Sequence, residues 1–131
     1  MLKRLLLKLW LQTWFYFISG IQVVIYFPFL VIILTLPKAY TKLFWIARNI
    51  WARITLHGSG YYVSVENKEK LESETNCLII ANHSSHMDVF LMLIANKKPF
   101  MFVGKKELYS IPLFGYIYKR AAIMVDRSDP K

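Results

Sequence analysis

Trp14 to Leu36, "WFYFISGIQVVIYFPFLVIILTL", is 23 residues without one charged side chain. As a helix, a run of that length reaches across the hydrocarbon core of a bilayer. Lys3, Arg4 and Lys8 precede it and Lys38 and Lys42 follow. Both flanks are basic, so the positive-inside bias sets no orientation. Gly20 and Pro28 interrupt the run, so a hairpin or a shallow insertion that re-emerges on the same side competes with a full span. A cleaved signal peptide fits less well, because the run exceeds the usual apolar core and no small-x-small site follows it.

Charge divides the chain at the same place. Residues 1–65 hold seven Lys and Arg and no acid, whereas residues 66–131 hold ten Lys and Arg and all eight acids. The bases of the first half are interleaved with Leu, Ile, Trp and Phe rather than clustered, which argues against nucleic acid. An anionic lipid surface explains both the charge and the apolar content. Two pieces are therefore expected: residues 1–56 as a membrane-anchoring helical segment, and residues 57–131 as a water-facing part.

Lys38 to Leu56 has helical periodicity. Lys38, Lys42, Arg48, Asn49 and Arg53 share one face, and Leu43, Ile46, Ala47, Ile50, Trp51 and Ile54 the other. A basic stripe opposite a Trp-bearing apolar stripe suits a helix lying among lipid headgroups more than one packed on the protein's own core. "HGSG" at His57–Gly60 reads as a break, with His57 in the loop.

The second piece alternates short elements. "YYVSVE" (Tyr61–Glu66) reads as a strand, "NKEKLESETN" as a polar helix or loop, and "CLIIAN" (Cys77–Asn82) as a strand buried on both faces. The lone cysteine, Cys77, has no internal disulfide partner, and this apolar setting predicts a buried, inert thiol. "MDVFLMLIAN" (Met87–Asn96) reads as a buried helix, and "PFMFVGK" (Pro99–Lys105) as a strand. "ELYSIPLFGYIYKR" (Glu107–Arg120) is helical at its ends and interrupted at Pro112 and Gly115. "AAIMVDR" (Ala121–Arg127) closes as a strand. The fold class that follows is α/β: membrane-associated helices, then a mostly parallel sheet with crossover helices.

Ligands in such sheets gather beyond the carboxyl ends of strands. "NHSSHMD" (Asn82–Asp88) occupies that place. Ser84 or Ser85 suits the cap of the following helix. The five-residue separation of His83 and Asp88 lets the carboxylate fold back onto the imidazole, fix its tautomer and leave the other nitrogen as a base. A metal reading, with His83, His86 and Asp88 as ligands, is weaker, because His86 and Asp88 point to different faces of a helix. The serines lack a Gly-x-Ser-x-Gly elbow, which argues against a serine nucleophile.

This block, followed by "VGKKELYSIPLFGYIYKRAAIMVDR", resembles the glycerolipid acyltransferase family, in particular the 1-acylglycerol-3-phosphate acyltransferases. His83 and Asp88 match the two defining positions of its Asn-His-x4-Asp block. Lys105–Leu108, Ile111–Gly115 and Asp126–Arg127 match its second block, with Ala121 where relatives usually carry glycine. The resemblance covers roughly residues 38–127. It implies a partial acyltransferase sheet lacking the C-terminal part, since the family's arginine-bearing third block and proline-containing fourth do not occur before Lys131.

The resemblance also implies acyl transfer from acyl-CoA or acyl carrier protein to the free hydroxyl of lysophosphatidate in phospholipid synthesis. His83 is the expected base and Asp88 its orienter. Asn82, Ser84, Lys105, Gly115 and Arg127 are the expected substrate-binding positions: Asn82 or Ser84 near the thioester oxyanion, and Lys105 and Arg127 near the acceptor phosphate. No cofactor, metal or nucleic acid is expected. The partners are membrane lipids, with the catalytic part facing the cytoplasm. The competing readings are an inactive membrane-associated fragment, a thioesterase-like hydrolase using water, and an acyltransferase for another lysolipid or glycerol-3-phosphate.

Overall fold

The computed structural model describes residues 2–73, 77–82 and 85–126, the side chains of Lys68 and Leu71 excepted. All but the last two residues of the uncharged run lie within one helix, α1 (Leu2–Leu34), which continues through both Gly20 and Pro28. The run itself therefore contains no hairpin. Pro28 removes one N–H from the ladder and does not end it. At about 1.5 Å per residue, 33 residues reach about 50 Å, longer than a hydrocarbon core.

After a short turn the chain comes back along α1 as α2 (Ala39–Ile46), a π-helical turn (Ala47–Trp51) and α3 (Ala52–Gly58). The return is fastened by polar contacts to apolar neighbours. Trp51 Nε1 donates to the Ser19 carbonyl at 3.0 Å, and Trp14 Nε1 to the Gly58 carbonyl at 3.0 Å. Gln22, the one amide in the uncharged run, turns inward and donates to Thr55 Oγ1 at 2.9 Å.

The π-turn corrects the expected faces of this segment. It inserts one residue into the helical ladder, which rotates everything after it by about 100°. The inward stripe therefore passes from Leu43, Phe44 and Ala47 to Trp51, Ala52, Thr55 and Leu56, and Ile54 is left exposed. The apolar face packs on the protein's own core rather than on headgroups. Arg48 also leaves the proposed basic stripe: its Nε donates to the Asn96 carbonyl at 2.8 Å and its Nη2 to the Ile94 carbonyl at 3.3 Å. His57 belongs to the last turn of α3, and the chain break falls one residue later.

α4 (Lys68–Ser73) is the short polar helix, and α5 (Met87–Ala95) the expected buried one. Phe90 and Leu93 of α5 join Phe15 of α1, Phe44 of α2 and Ala52 and Leu56 of α3 in the core. Phe90 is the hub, with the ring of Phe15 edge-on at 5.4 Å and that of Trp51 at 4.7 Å.

The sheet is small. β1 (Phe102–Lys105) and β2 (Ala122–Val125) pair in parallel, Phe102 opposite Ala122 and Lys105 opposite Val125. They are joined by a 3₁₀ turn (Lys106–Ser110) and α6 (Phe114–Ala121), a βαβ crossover that breaks at Ile111–Leu113 around Pro112. The architecture is thus mostly helical, with a two-stranded parallel sheet in keeping with a partial α/β fold.

Two expected strands do not form. Tyr61–Glu66 and Cys77–Asn82 carry no ladder among the described residues. Strand propensity marks a segment able to join a sheet, but a strand exists only where a neighbour takes its N–H and C=O groups. Leu78 and Ile80 are accordingly 80% and 85% exposed, and Cys77 is exposed rather than buried. β1 and β2 are also thinly covered, with Val103 59% and Ile123 53% exposed.

Candidate active site at the start of helix α5

The turn into α5 is built by its own sequence. The backbone N–H of Ser85 donates to Asp88 Oδ2 at 2.8 Å, while Ser85 Oγ accepts from the Met87 N–H at 3.2 Å. The Asp88 N–H closes the turn on the Ser85 carbonyl at 3.1 Å. The serine hydroxyl and the acid three residues on thus take up two N–H groups of the turn, those of Met87 and of Ser85, in a variant of the capping box. The Asp88 carboxylate also lies at the positive end of the α5 dipole. Of the two expected capping serines, Ser85 does the capping.

This bracing matters chemically. A half-buried carboxylate with one oxygen fixed by a backbone N–H has a defined direction, as an orienting group requires. His83 and Ser84, the expected base and an expected oxyanion partner, lie outside the described residues, as does Arg127. Asn82 precedes the turn and is exposed.

His86, between Ser85 and the first residue of α5, is held from outside the motif. Its Nδ1 lies 3.0 Å from Tyr16 Oη on α1, and the two rings meet edge-on at 5.8 Å. Nothing in the sequence singles out this partner, because Tyr16 is one of many aromatic residues in an uncharged run. The contact fixes the position of the turn relative to α1. Trp10, Trp14 and Phe17 stack on the same stretch of that helix.

The second group of expected residues lies at the ends of the sheet. Lys105 closes β1, exposed, and its carbonyl accepts from Tyr118 Oη at 3.2 Å. The neighbouring Lys106 reaches across to Asp126 at 3.2 Å, tying the ends of the two strands together. Gly104 and Gly115 are required by packing. A Cβ on Gly104 would stand 1.9 Å from Tyr118 Oη, and one on Gly115 would stand 1.9 Å from the Tyr109 carbonyl oxygen. Burial raises the Tyr118 phenol above its ordinary range, and the negative charge of Glu107 adds to the shift.

Comparison with known proteins gives this arrangement a context. Residues 62–131 match the family model described as Acyltransferase, just over half of the chain. A 1-acyl-sn-glycerol-3-phosphate acyltransferase of Cocos nucifera is 32% identical over 83 residues, which is 63% of this chain and 26% of the relative. A lysophosphatidylcholine acyltransferase of Drosophila melanogaster is 36% identical over 74 residues, 56% of this chain and 14% of the relative. The chain thus spans about a quarter or less of these relatives. No solved structure gives a significant match.

Proposed function

Because the chain belongs to the acyltransferase family, we propose that it takes part in moving a fatty acyl group from an acyl thioester to the free hydroxyl of a lysoglycerophospholipid. The observation that carries this reading is the Asn82–Asp88 block, inside the matched region and braced at the start of α5 by the Ser85–Asp88 pair.

In the proposed reaction His83 takes the proton of the acceptor hydroxyl as its oxygen attacks the thioester carbonyl. Asp88 orients the imidazole and favours its protonated form. Asn82 and Ser84 are the proposed donors to the carbonyl oxygen. The C–S bond then breaks, and the proton passes from His83 to the departing thiolate. Lys105 and Arg127 are the proposed source of positive charge for the acceptor phosphate, and Gly115 lets α6 approach the Tyr109 backbone.

Both substrates are amphiphiles, and α1 is long and apolar enough to cross a membrane. With Tyr16 holding His86, the turn sits beside the Trp-bearing end of α1, so a lysolipid can present its hydroxyl without leaving the bilayer. The proposal puts the domain on the cytoplasmic face, where an exposed thiol such as Cys77 persists unpaired.

The coconut relative's name favours lysophosphatidate as acceptor; the fly relative's favours lysophosphatidylcholine. The test uses this chain extended by the C-terminal region of an acyltransferase relative, supplied with labelled acyl thioester and each acceptor in turn. His83→Ala should lose about a hundredfold to ten-thousandfold in transfer, with His86→Ala mild by comparison. Free fatty acid release without acceptor would indicate a hydrolase instead. Full transfer by His83→Ala would refute the assignment.

A further inference from the structure

At the other end of α5 there is a cavity of about 300 Å³ between α3, the segment Val63–Val65 and the residues that close α5. Its lining includes Arg48, Arg53, His57 and Lys97, and among the described lining residues there is no acid. The walls between these groups are Val63, Val65, Ile94 and Ala95, which lower the local dielectric and strengthen any charge interaction inside.

The cations are not equivalent. Arg48 is spent on the Ile94 and Asn96 carbonyls. It thereby offsets the negative end of the α5 dipole, which would otherwise repel an anion here. Lys97 is shared with Glu72 at 2.7 Å. Arg53 makes no hydrogen bond or ion pair to any described residue, so its guanidinium fork is available.

The segment Val63–Val65 lines the same space. The backbone N–H groups of Val63, Ser64 and Val65 meet no acceptor among the described residues. A planar guanidinium binds the oxygens of a tetrahedral oxyanion bidentately, and an imidazole or a backbone N–H adds a further donor.

We propose that this cavity binds a phosphate group, with Arg53 as its bidentate anchor and the Val63–Val65 amides and Lys97 completing the shell. It is a different place from the Asn82–Asp88 turn. Asp88 and Ala95 are seven residues apart on α5, about 10 Å along the helix axis. The phosphate can belong to a lipid headgroup or to a soluble phosphate ester. His57 adjoins Gly58, whose carbonyl is held by Trp14, so the cavity opens near the aromatic end of α1, where headgroup phosphates lie.

The whole chain, labelled with ¹⁵N in zwitterionic phosphatidylcholine nanodiscs, is titrated with inorganic phosphate and, separately, reconstituted with increasing phosphatidate. Saturable shifts are expected at the Val63–Val65 amides and the Arg53 side chain. Arg53→Gln should weaken binding about tenfold or more, Arg53→Lys less, and Lys42→Ala should leave it unchanged. Arg53 is exposed, so these variants keep the fold, which the unshifted core amides of α5 would report. Saturation by inorganic phosphate identifies a soluble ligand as sufficient; saturation by phosphatidate alone identifies the headgroup. Absence of saturable shifts with both ligands, or equal shifts in Arg53→Gln, would overturn the proposal.

Discussion

Tyr16 Oη and His86 Nδ1 meet at 3.0 Å although they are 70 residues apart. One residue belongs to the helix most suited to lipid, the other to the turn that carries the acyltransferase motif. The long apolar helix and the motif turn are thus joined through this side-chain pair, backed by the Phe15–Phe90 ring contact one residue before Tyr16.

Tyr16→Phe removes that hydroxyl and little else. The pair is exposed, so the expected loss is about 0.5–1 kcal/mol. Amide exchange at Ser85 and Met87 should then quicken roughly two- to fivefold, with no change in α6. If the exchange of those amides does not alter, the turn is held by Ser85 and Asp88 alone.

The capping box makes a coupled prediction. Ser85→Ala should cost about 1 kcal/mol of stability, the usual value of a helix cap. Asp88→Asn keeps an oxygen able to accept the Ser85 N–H but loses the charge at the helix end, so it should cost about 0.3–1 kcal/mol. Because the two residues share one turn, the double variant should cost less than the sum. Strict additivity in denaturant unfolding would mean that the two bonds do not act together.

How far the sequence reveals this molecule depends on where each constraint lies. The α5 helix and the β1–α6–β2 crossover are written in local periodicity and turn residues and form within a few residues of the expected bounds, whereas α1 contains most of the uncharged run but starts twelve residues before it, at Leu2. A serine cap on α5 was legible for the same reason, but the bond from the Ser85 N–H to Asp88 was not, because the spacing in sequence pairs Asp88 with His83. The π-turn was not. Its extra residue shifts Ile54 outward and Thr55 inward without any break in the apolar pattern. Strands 61–66 and 77–82 have the right composition, but pairing is a property of the neighbour, and none of the described residues supplies one. Tyr16–His86 and the Arg53 cavity depend on contacts between distant segments, which periodicity cannot encode.

Gly104 and Gly115 separate two kinds of close approach. In Gly104→Ala the new methyl meets the Tyr118 hydroxyl, so the ring must shift and its bond to the Lys105 carbonyl is lost. A cost of about 1–3 kcal/mol is expected, and adding Tyr118→Phe should recover part of it. In Gly115→Ala the obstacle is the Tyr109 backbone, which no side-chain change relieves. Equal rescue of both by Tyr118→Phe would contradict the packing described here.

Tyr118 also makes stability depend on alkaline pH. Its folded-state pKa is raised above the ordinary value of 10.0. The neutral phenol is thus favoured by folding: its contribution is complete below about pH 10 and disappears as the pH rises through the folded value. Thermal unfolding should be insensitive to this group between pH 7 and 9 and fall above 10, and Tyr118→Phe should flatten that fall. Tyr40, whose pKa is also raised by burial, remains in the variant, so some decline should persist. An identical decline in both proteins would exclude Tyr118 as a source.

The two faces of α1 give the most direct test of how the chain is attached. Phe15, Gln22 and Leu30 are buried against the rest of the protein, at spacings of seven and eight residues. Phe17, Ile21, Val24, Ile25, Phe29 and Ile32 form an exposed stripe on the same helix, all apolar. One face is thus a core face, and water is a poor solvent for the other. The polar Gln22 has been drawn to the inner side, where Thr55 meets it. Lipid contact should therefore reside in the outer stripe alone. Ile25→Lys should weaken partition into vesicles by about 2.5–3.5 kcal/mol if the position lies deep in the hydrocarbon, and less nearer the headgroups. Phe15→Ala should instead destabilise the fold by about 3–5 kcal/mol through loss of its contact with Phe90, while the partition of folded protein stays the same. Cosedimentation with vesicles and unfolding in detergent separate the two. If Ile25→Lys left vesicle binding untouched and Phe15→Ala abolished it, the assignment of faces would be reversed.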